Sequence, residues 1–116
     1  MLPRLKPYLG LREFLAFFRA HGSSVTEFEQ QFAKTVGAPH ALAFPYGRSG
    51  LFAFFAALDI RDTEVIVPAY TCTAVVNAII VSGNRPVFVD IEKNGFNMDL
   101  IEVEQALTVK TSAVLA

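Results

Sequence analysis

The sequence predicts an α/β fold, a mostly parallel sheet with flanking helices in a three-layer αβα arrangement. Three observations carry this. Short runs rich in β-branched residues alternate with helical stretches of about ten residues, the pattern of βαβ units joined by right-handed crossovers. The runs Val65-Ile66-Val67 and Val87-Phe88-Val89 are apolar at every position, as strands covered on both faces must be. The stretch Leu51 to Leu58, Leu-Phe-Ala-Phe-Phe-Ala-Ala-Leu, is apolar nearly all round. A surface helix keeps a polar face, so this one is expected between layers or at a subunit interface.

The elements follow in order. Met1 to Gly10 contains Pro3, Pro7 and Gly10, which predicts an extended lead-in. Leu11 to Ala20 has helical periodicity, and His21-Gly22-Ser23-Ser24 interrupts it. Thr26 with Glu29 has the spacing of a capping box, predicting a second helix that starts there and stops at Gly37. His40 to Phe44 reads as a short strand, and Tyr46-Gly47-Arg48-Ser49-Gly50 as a turn into the apolar helix Leu51 to Leu58. Asp59 to Thr63 turns the chain into the strand Glu64 to Pro68. Thr73 to Val81 is a helix ended by Ser82-Gly83-Asn84, and Pro86 to Ile91 is a third strand. Lys93-Asn94-Gly95 turns again, and Asp99 with Glu102 opens the helix Leu100 to Leu107 through another capping box. Ser112 to Ala116 reads as the start of a fourth strand.

The chain has 116 residues, of which 53% are apolar and 18% charged, against a usual ~25% charged. That length holds one domain and excludes disorder at this apolar content. Ten basic and eleven acidic residues leave a net charge of −1, which argues against nucleic acid as a partner. A single cysteine makes no internal disulfide and offers no metal spacing, and the cytoplasm is the expected location. Arg12, Glu13 and Arg19 break the apolar stretch that a signal peptide would need. The early amphipathic helix therefore docks on protein or lies on a membrane surface. The longest uncharged span, Val65 to Asn84, contains Pro68, Thr71, Thr73 and Asn77. It reads as a buried strand, a loop and a buried helix rather than a membrane span.

Two places can carry chemistry. At Gly47 to Gly50 glycines allow close backbone approach, and the free N–H groups of a helix start attract anions. The Ser49 hydroxyl and the Arg48 guanidinium add charge-assisted bonds to a phosphate. Gly and Ser also serve many βα turns merely as turn and cap residues. The second place is Pro68-Ala69-Tyr70-Thr71-Cys72-Thr73, at the carboxyl end of a strand, where ligands of open α/β sheets sit. There Thr71 or Thr73 is expected to cap the next helix. The Cys72 thiol can contact a flat cofactor, but Cys72 reads as a small buried hydrophobe rather than a nucleophile, since no base stands beside it. His21 and His40 read as structural or solvated. Lys34, Lys93 and Lys110 fall on a helix face, in a turn and before a strand, none placed like a lysine desolvated in a pocket.

Taken together, these segments resemble the N-terminal part of the DegT/DnrJ/EryC1/StrS family of pyridoxal-phosphate-dependent sugar aminotransferases. The resemblance runs from Ser24 to Ala116. It is carried by Glu27-Phe28-Glu29 with Phe32-Ala33, His40-Ala41-Leu42-Ala43, Gly47 to Leu51, and Glu64-Val65-Ile66-Val67-Pro68-Ala69-Tyr70-Thr71. Asn77-Ala78-Ile79, Pro86 to Ile91, Phe96-Asn97-Met98-Asp99 and Lys110 to Leu115 complete it. It implies a partial fold-type I PLP-transferase large domain, with residues 1–22 a lead-in and helix and residues 23–116 the incomplete domain.

The same resemblance implies pyridoxal 5'-phosphate as cofactor, glutamate or glutamine as amino donor, a nucleotide-linked keto sugar as acceptor, and a homodimer. It further implies cofactor contacts at Gly47, Arg48, Ser49, Tyr70 and Cys72. Ser, Gly and Thr are common in the family's phosphate turn, so Arg48 is a departure that either strengthens phosphate binding or turns away. Where Cys72 stands the family often has an aromatic that stacks on the cofactor ring. Here a thiol meets the ring, or Tyr70 substitutes. The family's Schiff-base lysine and the acid that pairs with the pyridine nitrogen match no position here. The expectation is an N-terminal fragment, inactive alone, with no catalytic residue and with apolar faces left exposed. The competing expectation is a stand-alone α/β module that binds a small phosphorylated ligand at Gly47 to Gly50. RNA binding through a Gly-x-x-Gly clamp is disfavoured by the lack of a basic surface.

Overall fold

Glu64-Val65-Ile66-Val67-Pro68 forms strand β1, whose first four residues are all buried. Such burial requires cover on both faces, and β1 is indeed the central strand of the sheet. In the computed structural model, which describes residues 10–19 and 23–116, the chain divides into two units, residues 1–43 and 44–116.

The second unit holds the sheet. Helix α3 (Gly47–Ala57) precedes β1, followed by α4 (Thr73–Val81), β2 (Arg85–Val89), α5 (Leu100–Ala106) and β3 (Thr111–Val114). The strand order is β2-β1-β3, and both pairings are parallel. Side chains alternate across β1. Val65 and Val67 pack with Phe55 of α3 and Ile79 of α4 on one face. Ile66 packs with Val89 and Met98 on the other, with Val103 and Ala106 of α5 against them. Helices thus cover both faces, giving the expected three layers.

The strand and helix boundaries match the sequence reading closely after Asp59. Helix α4 spans the expected residues, and at α5 the Asp99 carboxylate accepts from the Ile101 N–H at 2.9 Å as an N-cap. β3 starts one residue earlier than expected, with Ser112 as the extra residue of a bulge between Glu64 and Val65. Ile91 lies beyond β2 and forms an isolated antiparallel bridge with Met98.

Several expectations are corrected. Residues 40–44 form no strand, because an extended segment becomes a strand only when another strand takes its N–H and C=O groups, and among the described residues no strand lies beside it. Helix α3 begins at Gly47, so the Gly-Arg-Ser-Gly segment is its first turn rather than a turn before it. Phe55 of α3 is fully buried against the sheet, whereas Phe54 is 50% exposed, so part of the apolar surface of α3 is left uncovered among the described residues, in line with the expectation of exposed apolar faces. Phe88 of β2 is likewise exposed, because β2 is the last strand of the sheet on its side. Neither Thr71 nor Thr73 caps α4. Cys72 occupies the N-cap position without a side-chain bond, which leaves Thr71 one residue too early and Thr73 already helical.

The first unit contains α1 (Leu11–Arg19) and α2 (Ser23–Val36). The lead-in Met1 to Leu9 and the break at His21-Gly22 lie outside the described residues. α1 opens with the Gly10 N–H donating to the Glu13 carboxylate at 2.7 Å. The capping box expected at Thr26 is not formed, since α2 already starts at Ser23 and Thr26 is inside it. Glu29 instead reaches across to accept the Ala43 N–H at 2.8 Å, holding the chain that leaves the unit. α2 does stop at Gly37, which takes φ +70°, while the Ala38 N–H returns to the Ala33 carbonyl. This is the left-handed helix end that glycine permits.

Candidate functional site

The start of α3 is set by Tyr46. Its backbone is extended (φ −142°, ψ 143°), and its side chain makes no capping bond. Its carbonyl accepts the N–H groups of Ser49 at 3.0 Å and Gly50 at 3.3 Å. Ser, Thr, Asp or Asn at such a position would turn a side-chain oxygen onto the helix N–H groups; a phenol ring does not. The N–H groups of Gly47 and Arg48 therefore have no protein acceptor among the described residues. A Cβ at Gly47 would meet nothing within 4 Å, so the side-chain position there is open. Gly50 is closely packed, as a Cβ there would lie 3.2 Å from the Phe44 ring.

Arg48 is placed against ordinary helix electrostatics. The first turn of a helix carries partial positive charge and favours acids, yet α3 has no acidic residue there and has a guanidinium instead. That guanidinium lies 4.4 Å from the centroid of the Tyr46 ring. No carboxylate among the described residues pairs with it. Arg48 and Ser49 line a recess of about 260 Å3 with Phe52 from α3 and Asn77, Ala78 and Val81 from α4. Unpaired N–H donors, a hydroxyl and a cation at a positive helix pole suit a phosphate dianion. The residues present thus fit the phosphate end of the implied cofactor.

The second group of expected contacts is placed apart from this recess. Tyr70 is exposed in the loop after β1, and its ring packs on Phe96 at a centroid distance of 5.8 Å. Cys72 is exposed at the N-cap of α4, which corrects the expectation of a small buried hydrophobe: the N-cap lies in the loop before the helix rather than on its packed face. Neither lines the recess. Lys34, Lys93 and Lys110 are all exposed, and His40 lies in the first unit, lining a recess with Glu29 and Leu42.

Sequence reasoning did not single out Tyr46 or Asn77 as site residues. The signal for Asn77 was a lone amide in an otherwise apolar helix, and for Tyr46 an aromatic immediately before a Gly-x-x-Gly turn. The described residues contain no cluster of metal-ligating side chains and no helix long and apolar enough to cross a membrane.

A second polar cluster lies at the amino ends of the strands. Glu64, nearly buried, accepts from the Thr108 hydroxyl at 2.7 Å and from the Arg85 guanidinium at 2.5 Å. These bonds hold its carboxyl below the usual carboxylate range, Thr108 first and Arg85 second. Asn84 accepts from Thr63 and donates to the Ile60 carbonyl. Every buried side-chain N or O atom among the described residues has a hydrogen-bond partner, and ligands of open α/β sheets bind at the opposite, carboxyl ends. The cluster ties strands together.

Comparison with known proteins shows what the chain is similar to. The chain is 36% identical over 114 residues to a dTDP-4-amino-4,6-dideoxy-D-glucose transaminase of Escherichia coli, covering 98% of this chain and 30% of that protein. It is 40% identical over 95 residues to the spore coat polysaccharide biosynthesis protein SpsC of Bacillus subtilis, covering 81% of this chain and 24% of that protein. The structure superposes on the PLP form of a putative sugar aminotransferase from Streptococcus pneumoniae with a TM-score of 0.79 and 30% identity, covering 89% of this chain and 28% of that one. The chain thus spans between about a quarter and a third of the length of these relatives. Residues 14–116 match the sequence pattern of the DegT/DnrJ/EryC1/StrS aminotransferase family, and the chain belongs to that family.

Proposed function

We propose that these residues form the phosphate-binding portion of a pyridoxal-phosphate-dependent aminotransferase that moves an amino group from glutamate or glutamine to a nucleotide-linked keto sugar. The observation that carries this is the start of α3, a helix N-terminus with no side-chain cap and a cation at its positive pole. The N–H groups of Gly47 and Arg48, the Ser49 hydroxyl and the Arg48 guanidinium hold the phosphate. Tyr70 and Cys72, after the carboxyl end of β1, supply the contacts to the cofactor ring. When bound, the cofactor supplies the electron sink that amino-group transfer needs. The chain's own residues fix the phosphate and so set where the ring lies.

In this reading residues 1–22 are a lead-in and helix, and residues 23–116 are one portion of a larger domain that works as a cytoplasmic homodimer. The 116 residues alone are inactive, because no described lysine is desolvated beside the phosphate site. The length of the relatives, three to four times that of this chain, supports the same view.

The test is to incubate the chain with pyridoxal phosphate, measure binding with inorganic phosphate as competitor, then reduce with borohydride and map any modified lysine. The expected result is phosphate-competitive binding, no single stoichiometrically modified lysine, and no turnover with glutamate and a nucleotide-linked keto sugar. Turnover, or one fully modified lysine, overturns the inactivity. Binding indifferent to phosphate overturns the site.

A further inference from the structure

Tyr46 has a side chain that the phosphate-binding reading leaves unused. The residue is the N-cap of α3 but performs the capping task only through its backbone carbonyl. Its ring is 58% exposed, so burial does not account for it. The contact the ring makes is with the residue two places on: the Arg48 guanidinium lies over its face at 4.4 Å. Arg48 needs such a support. Its charge sits at the positive pole of α3, where a cation is repelled, and no described carboxylate holds it. A long flexible side chain in that position would swing into solvent. The quadrupole of an aromatic ring attracts a cation, and the ring holds the guanidinium beside the start of α3, where Arg48 also lines the recess with Ser49 and Asn77.

We propose that Tyr46 is a positioning residue, an aromatic shelf that keeps the Arg48 guanidinium aimed at the phosphate of the ligand. The inference rests on the phosphate reading of the α3 N-terminus and adds to it. The phosphate is held by a side-chain cation as well as by backbone donors, and that cation works through a ring that does not itself touch the ligand. Arg48, the departure from the common Ser, Gly and Thr of the family's turn, acts as one unit with Tyr46.

The experiment measures equilibrium binding of pyridoxal phosphate, inorganic phosphate and pyridoxal to the whole chain and to four variants: Arg48→Gln, Tyr46→Leu, Tyr46→Phe, and the double variant Tyr46→Leu with Arg48→Gln. Arg48→Gln is expected to weaken both phosphate-bearing ligands about tenfold. Tyr46→Leu is expected to weaken them about two- to fivefold, the worth of an exposed cation–π contact. Tyr46→Phe keeps the ring and restores binding. Tyr46→Leu adds nothing once Arg48 is Gln, and pyridoxal, which lacks the phosphate, is insensitive to all four. A merely structural role for the ring would weaken binding equally in both Arg48 backgrounds and would not spare pyridoxal; either result overturns the shelf. If Arg48→Gln loses affinity and Tyr46→Leu does not, the shelf alone falls. If the unaltered chain binds neither phosphate-bearing ligand, the phosphate site falls and the shelf with it.

Discussion

Replacing Phe55 by alanine isolates what docks α3 onto the sheet. Phe55 has no exposed surface and packs against Val65 and Val67 of β1 and Ile79 of α4. Removing a fully buried Phe ring loses its transfer energy and leaves a cavity, about 3–5 kcal/mol together. Its neighbour Phe54 has the same helix propensity and side-chain volume but is 50% exposed. Phe54→Ala opens no enclosed cavity and loses roughly half a transfer term, about 1 kcal/mol. The two variants therefore differ by burial alone, by about 2–4 kcal/mol. Urea unfolding followed by far-ultraviolet circular dichroism reads this as a midpoint lower by about 1–2 M for Phe55→Ala than for Phe54→Ala at equal slope. Should Phe55→Ala fail to fold, Phe55→Leu gives a smaller loss in the same direction. Equal shifts for Phe54 and Phe55 would refute the docking of α3 through Phe55.

Further outcomes concern the strand ends, a turn and a cap. Glu64 has a lowered folded pKa, so its charged form stabilises the fold above the ordinary value of 4.5, and that contribution is lost as pH falls through the folded value. Glu64→Gln should flatten this acid limb in a pH series of urea midpoints, and an unchanged limb would remove Glu64 as its cause. Gly83 sits at φ +81° between α4 and β2 with open space around it. Gly83→Ala should lower stability by about 1–2 kcal/mol through backbone strain alone, and a neutral result in thermal unfolding would contradict that strain. Asp99→Ala removes the cap of α5 and should lower stability by about 1 kcal/mol. Asp99→Asn, which keeps an acceptor, should recover most of it.

How far the sequence was legible depended on where each signal acts. Gly37 and Asp99 act within one turn of chain, and both end or start helices where expected. The run Val65-Ile66-Val67 announced its own double cover because an apolar strand admits no other explanation. Thr26 and Glu29 had the right spacing for a cap and failed, because α2 starts at Ser23 and Thr26 lies inside it, while Glu29 accepts the Ala43 N–H fourteen residues away. His40 to Phe44 had strand composition but no strand beside it. At the phosphate site the Gly47 to Gly50 pattern was readable, whereas the ring–guanidinium contact was not, since it depends on rotamers rather than spacing.

By itself the sequence determined the α/β class, the order of its elements and the family, because these follow from periodicity, turn chemistry and motif order along the chain. Only the tertiary structure decided that the Tyr46 side chain does not cap α3, that Arg48 lies on its ring, and that Asn77 lines a recess with Arg48 and Ser49. It also decided that Tyr70 pairs with Phe96 and that Glu64 ties the strands' amino ends. The physical reason is common to all of these. A hydrogen bond, a ring contact or a shared recess depends on where separate segments meet in space, and local spacing carries no record of that.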